Sequence, residues 1–263
     1  MNTASKVLKY QVRDLLRSRW LIGYALFFAL ATDALVRLEG NGERALLGLV
    51  SVTLFVVPLV AVVFGTVYVY HAREFTEMLL AQPVARRQLF GGLYGGLAGS
   101  LSMAFVLGIG TPLLLEGVGT SATRAPLLVL FAAGIALTCT FSALAFLIAL
   151  GTESGLKGLG LAIATWLGAT VLYDGVVLVC VMVLGDYSIE RPLLALMFFN
   201  PVDLARVLLL LQFDVAALLG YTAAVFRDFF SGVGGGLIAL FALVMWIVGP
   251  VALSVRVFQR KDF

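Results

Sequence analysis

The run Leu46–Tyr70, LLGLVSVTLFVVPLVAVVFGTVYVY, carries no charged residue and no alternation of polar with apolar positions. A bilayer core of about 30 Å is crossed by about 20 helical residues, so this run is long enough to span as a helix. A strand of a membrane barrel would alternate every second residue instead. Outward from it the same reading gives five further runs: Trp20–Val36, Leu89–Leu115, Pro126–Leu150, Gly158–Leu184 and Gly232–Val255. The breaks carry turn residues and charges, with Gly40-Asn41-Gly42 after the first, Glu116 to Arg124 after the third and Gly151 to Lys157 after the fourth. The expected fold is all-α: a polytopic membrane protein of six transmembrane helices.

Composition points the same way. Of 263 residues 61% are hydrophobic and 13% charged, and the mean hydropathy is +1.05, against roughly 25% charged in an average soluble domain. A water-soluble fold with so few charges would leave large apolar patches in solvent. Soluble enzymes, nucleic-acid-binding domains and disordered adaptors are thereby excluded. The net charge of +3 does not signal nucleic acid, because the basic residues fall at membrane edges. One histidine, His71, and two cysteines inside apolar runs, Cys139 and Cys180, cannot build a His/Cys metal site within one chain. Each cysteine reads as a small packing residue.

Lysine and arginine counts fix an expected orientation. With the N-terminus inside, twelve of the eighteen basic residues lie on the cytoplasmic side, and six (Arg37, Arg44, Arg124, Arg191, Arg206, Arg227) lie outside. Both termini are then cytoplasmic. Residues 1–19 lack the apolar core and small-residue cleavage site of a signal peptide. At 100° per residue, Lys6, Lys9, Arg13 and Arg17 fall within an arc of about 80°, with Leu8, Val12, Leu15 and Leu16 opposite. They are expected to form an amphipathic elbow helix in the headgroup plane, in contact with membrane lipid.

The stretch between the fifth and sixth runs, about 186–231, is neither a hydrophilic domain nor a clean span. Asn200-Pro201-Val202-Asp203 reads as a helix start, with Asn200 as N-cap and Pro201 at the first helical position. Val202–Phe226 is long enough to cross, but Asp203, Arg206, Gln212 and Asp214 punctuate it. A seventh span would also place Arg256, Arg260 and Lys261 outside. A re-entrant or interfacial helical pair on the outer side is therefore expected. Asp203 and Arg206 at spacing three, with Asp214 beyond, make a narrow polar stripe suited to an outer gate or to holding a periplasmic partner, with Asn200 and Pro201 at its start.

Between the second and third runs stands HAREFTEMLLAQPVARRQ, His71–Gln88. It opens with charges, passes through a short helix-compatible block, stops at Pro83 and resumes with Arg86-Arg87 at the next membrane entry. A plain loop would not need Met78-Leu79-Leu80 wedged between charges, so a short helix parallel to the membrane is expected at about 71–84. Glu77-Met78-Leu79-Leu80-Ala81-Gln82-Pro83-Val84 followed by Arg86 resembles the coupling helix of the ABC type-2 permease family. Glu74-Phe75 stand where Gly-Thr is usual, and this is most similar to the permeases of nitrous-oxide-reductase maturation complexes of the NosDFY type. The basic entry helix, the six spans and the outer helical segment fit that family as well, so the resemblance covers essentially the whole chain.

The resemblance implies a permease subunit whose coupling helix docks on a separate ATPase subunit. Arg73, Glu74, Phe75, Glu77, Leu80, Pro83, Arg86 and Arg87 would carry that contact. It further implies two copies of the ATPase, a second copy of the permease, a periplasmic partner of the NosD type and residence in a bacterial inner membrane. No Gly-x-x-x-x-Gly-Lys-Ser/Thr loop occurs in the chain, so ATP and magnesium are expected on the partner. No cofactor or metal is expected on this chain, and it is not expected to be an enzyme. The six methionines are scattered, without the clustered soft ligands Cu(I) favours.

Other features leave alternatives open. Gly91, Gly95 and Gly99, with Gly92 and Gly96, form two small-residue ridges at spacing four that would serve packing within the subunit or a seam between two copies. Asp174, inside the fifth run, is costly in lipid and reads either as a structural hydrogen-bonding group or as a functional carboxylate. Asp33 is placed to meet Arg37 four residues on. Glu153 and Lys157, read as sharing a helix face, are a second ATPase contact or a plain surface pair. An exporter of lipid, peptide or drug-like molecules is the alternative function. An ion-coupled secondary transporter would call for internal repeats, and an intramembrane enzyme for a positioned nucleophile or metal set; neither pattern is present in the sequence.

Overall fold

The structure is a computed structural model that describes residues 18–80, 85–117, 121–184, 196–213 and 233–260. All regular structure among them is helical. Six helices are long and apolar enough to cross a membrane, as the uncharged runs require. They are α1 (Arg19–Glu39), α2 (Gly42–His71), α4 (Arg86–Leu115), α5 (Ser121–Gly151), the fifth span and α9 (Val233–Arg260). The fifth span is built from α6 (Gly155–Leu167), a π-turn (Gly168–Leu172) and α7 (Tyr173–Leu184). Two shorter helices complete the set, α3 (Arg73–Leu80) and α8 (Pro201–Leu210). The elbow expected at 1–19 lies outside the described residues except for its last two.

Local chemistry sets the ends. Gly40, at φ 60°, closes α1 with its N–H on the Val36 carbonyl, a left-handed cap that glycine adopts without strain. Asn41 then caps α2, its side chain accepting from the Glu43 N–H at 3.0 Å. Only Ala72 separates α2 from α3, and its N–H still bonds back to Tyr68 at 2.9 Å. The N-cap expected at Asn200 is present: its Oδ1 accepts from the Val202 N–H at 3.0 Å, with Pro201 in the first turn. Helices suit hydrocarbon surroundings because they pair their backbone polar groups within one segment.

The centre of the bundle is α2 against α5, with α1 on α4 and α9 on α5. Lipid tails are as apolar as leucine, so such helices associate through close fit rather than through escape from water. The fit is visible where aromatics meet glycines. Phe28 and Phe105, both fully buried, meet edge to face at 5.1 Å, and the Phe105 ring occupies the space a Cβ on Gly134 would need. Toward the other end, Phe90 packs edge to face with Phe146 and Phe258. The helix α8 is not laid over this bundle. Its first turn is buried, and it packs on α5, α9 and α2.

Candidate functional site

Charged side chains gather on α3 at one end of the bundle and at the junction of α8 with the fifth span, where the helix makes a π-turn.

The short helix α3 has two faces. Thr76 is buried, its hydroxyl donating to the Ala72 carbonyl at 2.7 Å. Leu79 and Leu80 are half-buried against the core. The opposite face exposes Glu74, Phe75, Glu77 and Met78, with Phe75 at 41% and Met78 at 58% of full exposure. Arg73 pairs loosely with Glu77 at 3.9 Å. Of the residues expected to meet an ATPase, Glu74, Phe75 and Glu77 stand on the free face. Leu80 turns instead toward the bundle, because the helical period carries position 80 to the side of Thr76. Met78 belongs to the free face and was missed; its place one turn from Glu74 and next to Glu77 was the available signal. Arg86 donates from its guanidinium to the Gln259 carbonyl at 2.9 Å, linking the start of α4 to the end of α9, while Arg87 is exposed. Pro83 lies outside the described residues.

The root of α3 is held by Tyr70. Its hydroxyl meets Thr152 Oγ1, donates to the Thr152 carbonyl at 3.3 Å and reaches the Ser154 carbonyl at 3.2 Å. A Cβ on Gly158 would overlap the Tyr70 ring and hydroxyl. Glu153 and Lys157 do not share a helix face: Glu153 sits in the bend before α6, whose first residue is Gly155. Both are exposed.

At the other place, polar groups of α8 face the fifth span. Asn200 donates to the Ala169 carbonyl at 2.7 Å, inside the π-turn, and to Asp203 Oδ2 at 3.2 Å. Arg206 bridges two carboxylates, Asp174 at 2.9 Å and Asp203 at 2.8 Å. The Tyr173 hydroxyl donates to the Leu196 carbonyl. Ala169 stands 14 residues above Gly155, about 21 Å along the helix at 1.5 Å per residue. Asn200 therefore lies well along the fifth span from its foot, buried where the start of α8 meets the π-turn. Asp174 is thus bonded across helices, to an arginine of α8.

Two expectations narrow here. Asn200, Pro201 and Asp203 are buried, so they are not a surface that another protein could touch. Gly91 and Gly99 do not pack within the subunit: a Cβ at either would meet nothing within 4 Å, while Gly92 and Gly96 are the buried pair. Gly95 is half-buried. Asp214 lies outside the described residues. The Asp33–Arg37 pair forms as expected, at 2.9 Å, and Glu116 joins it at 3.3 Å. The signal for the Asp174–Arg206 pair was an acid in a span without a cation one turn away on its own helix. No sequence signal marked Tyr70 or the π-turn.

No family model matches the chain. Two relatives do so from end to end. The probable ABC transporter permease protein NosY of Pseudomonas aeruginosa is 26% identical over 273 aligned positions, covering 97% of each chain. The protein of the same name from Stutzerimonas stutzeri is 25% identical over 278 positions, covering 99% of each. With six membrane-length helices in the same chain, the protein is similar from end to end to ABC transporter permease proteins of the NosY type.

Proposed function

We propose that this chain is the membrane half of a complex in which ATP, with magnesium, is hydrolysed on two separate ATPase subunits. The observation that carries the reading is α3. A helix anchored by Thr76, Leu79 and Leu80 leaves Glu74, Phe75, Glu77 and Met78 uncovered at a bundle end. Apolar side chains flanked by acids, on a helix too short to span, suit a cleft on a partner protein. Arg73, Arg86 and Arg87 flank that face, and Glu153 and Lys157, in and after the neighbouring turn, extend it. A second copy of this chain completes the membrane part, both termini face the cytoplasm, and the membrane is a bacterial inner membrane, in keeping with the lysine and arginine distribution. Closure of the ATPases would shift α3, and the bundle would carry the shift to α8, which acts as the outer gate.

The resemblance of the Glu74–Arg86 stretch to permeases of nitrous-oxide-reductase maturation complexes supports mechanical transmission to a periplasmic partner in copper-site maturation, with export of a cargo as the alternative. In the first reading nothing need pass through the chain and no metal need rest on it.

Replacing Phe75 and Met78 together by aspartate tests the docking face. The pair is expected to abolish co-purification with the cognate ATPase while the elution profile in detergent stays that of the parent. Retained co-purification and ATP-stimulated activity would overturn the assignment of α3.

A further inference from the structure

The fifth span differs from its neighbours in what holds it. Among its described residues only Gly158, Ala162 and Thr170 are buried. Its specific attachments instead fall on two elements. Toward α2, Tyr70 is seated over Gly158 and bonded to the turn at Thr152 and Ser154. Higher up, the Trp166 indole donates to the Phe55 carbonyl at 3.0 Å, and its ring meets Phe55 edge to face at 4.7 Å. Toward α8, Asn200 bonds the Ala169 carbonyl, Arg206 bonds Asp174, and Tyr173 bonds the backbone at Leu196. One rod is therefore gripped near its foot by the helix that continues into α3, and near its middle by α8.

The π-turn lies at the second of these grips. The Tyr173 N–H bonds back five residues to the Gly168 carbonyl, which inserts one residue into the helix and widens it locally. Such turns are sparse in proteins and concentrate where a helix does more than pack. Here the turn presents the Ala169 carbonyl sideways to Asn200, and it sets Asp174 opposite Arg206. An element with few packed neighbours and polar grips at two levels shifts as a unit without opening the core.

We propose that the fifth span is the arm that carries displacement from the root of α3 to α8, with the Asn200 amide and the Arg206 guanidinium as the positioning groups that couple it to α8. This rests on the reading of α3 as the ATPase contact. It adds the route, since α8 is moved through the fifth span's π-turn and not only by the general packing of the bundle.

The test separates holding from moving. Asn200→Ser keeps a side chain able to cap α8, adds no charge, and is too short to reach the Ala169 carbonyl. In the complex with the cognate ATPase in lipid nanodiscs, with Cys139 and Cys180 replaced by alanine, spin labels are placed at Leu38 and Gln212. Both positions are exposed, Leu38 at the end of α1 and Gln212 just past α8. The distance between labels is read by pulsed electron resonance without nucleotide and with ATP trapped by vanadate. The parent is expected to show a nucleotide-dependent shift, and Asn200→Ser to lose most of it while still binding the ATPase. Tyr70→Phe, which keeps the ring over Gly158 and removes the hydroxyl, is expected to lose it from the other end, and it decides the matter if Asn200→Ser fails to assemble. A parental shift in an assembled variant of each kind would overturn the arm and leave the α3 reading standing. No shift in the parent would overturn both.

Discussion

The second and fifth spans are both helices long enough to cross a membrane, yet they are held by different means. Half of the most apolar window of α2 is buried inside the chain, against 6% of that of the fifth span. Along α2, Leu49, Val57 and Val62 are fully buried, and Gly65 takes Ala145 of α5 against its backbone. The fifth span turns Val171, Leu172, Val176, Leu178 and Val179 outward, toward lipid or a second copy, and relies on grips from Tyr70, Trp166, Asn200 and Arg206. Close packing is nearly bistable and resists small displacements. A few hydrogen bonds hold an element in position and still let it shift. The difference separates a frame from a moving part.

The comparison breaks most readily in the frame. Phe105 is fully buried, meets Phe28 at 5.1 Å and Phe131 at 6.1 Å, and fills the notch left by Gly134. In lipid the loss on truncation is mainly of dispersion contacts, because no water-transfer gain is at stake between apolar helices. Phe105→Ala is expected to cost about 3 kcal/mol, read as a large fall in the unfolding midpoint in detergent. A fall no greater than that of Val176→Ala, on the outward side of the fifth span, would show that the two regions are packed alike.

A smaller effect is expected where two backbones meet in the frame. A Cβ on Gly108 would stand 2.7 Å from the Ala25 carbonyl oxygen and 2.8 Å from Phe28 Cβ, atoms of α1 that have no rotamer to change. Gly108→Ala should therefore cost about 1–2 kcal/mol through overpacking, against the slight helix-propensity gain the substitution brings elsewhere. Thermal unfolding of the purified chain measures it. An unchanged midpoint would mean that α1 separates from α4 without penalty.

The frame was legible in the sequence because it depends on composition at low resolution. Long uncharged runs from Leu46 and from Leu89 can only be spans, and Asn200-Pro201 announced a helix start through local chemistry alone. The ends of runs were less legible: α4 begins at Arg86 and α9 extends to Arg260, since basic side chains at a membrane edge do not stop a helix. The face of α3 was half legible. Glu74, Phe75 and Glu77 are exposed while Leu80 is half-buried, a distinction that a block of eight residues does not reveal, because its rotation about its own axis depends on what it packs against. Asp174 gave notice of a cross-helix partner without naming Arg206. Tyr70 over Gly158 and the π-turn left no trace, because each depends on which helix lies alongside, and uniformly apolar spans carry little periodicity to tell one neighbour from another. For the same reason the ridge at Gly91 and Gly99 could not be told from the buried one at Gly92 and Gly96.

The smallest expected effect is the sharpest test of the contrast. Gly160, on the outward side of α6, would meet nothing within 4 Å if it carried a Cβ. Alanine there restricts the unfolded chain and favours the helix slightly, and nothing in the subunit opposes it. Gly160→Ala is thus expected to leave the unfolding midpoint of the detergent-solubilised subunit within about 0.5 kcal/mol of the parent, while the same glycine-to-alanine change at Gly108 lowers it. The chemistry of the two substitutions is identical, so their difference isolates the neighbours. If Gly160→Ala cost as much as Gly108→Ala, the fifth span would have a tightly fitted partner inside its own subunit, and an arm free to shift on a few polar grips would no longer follow from its surroundings.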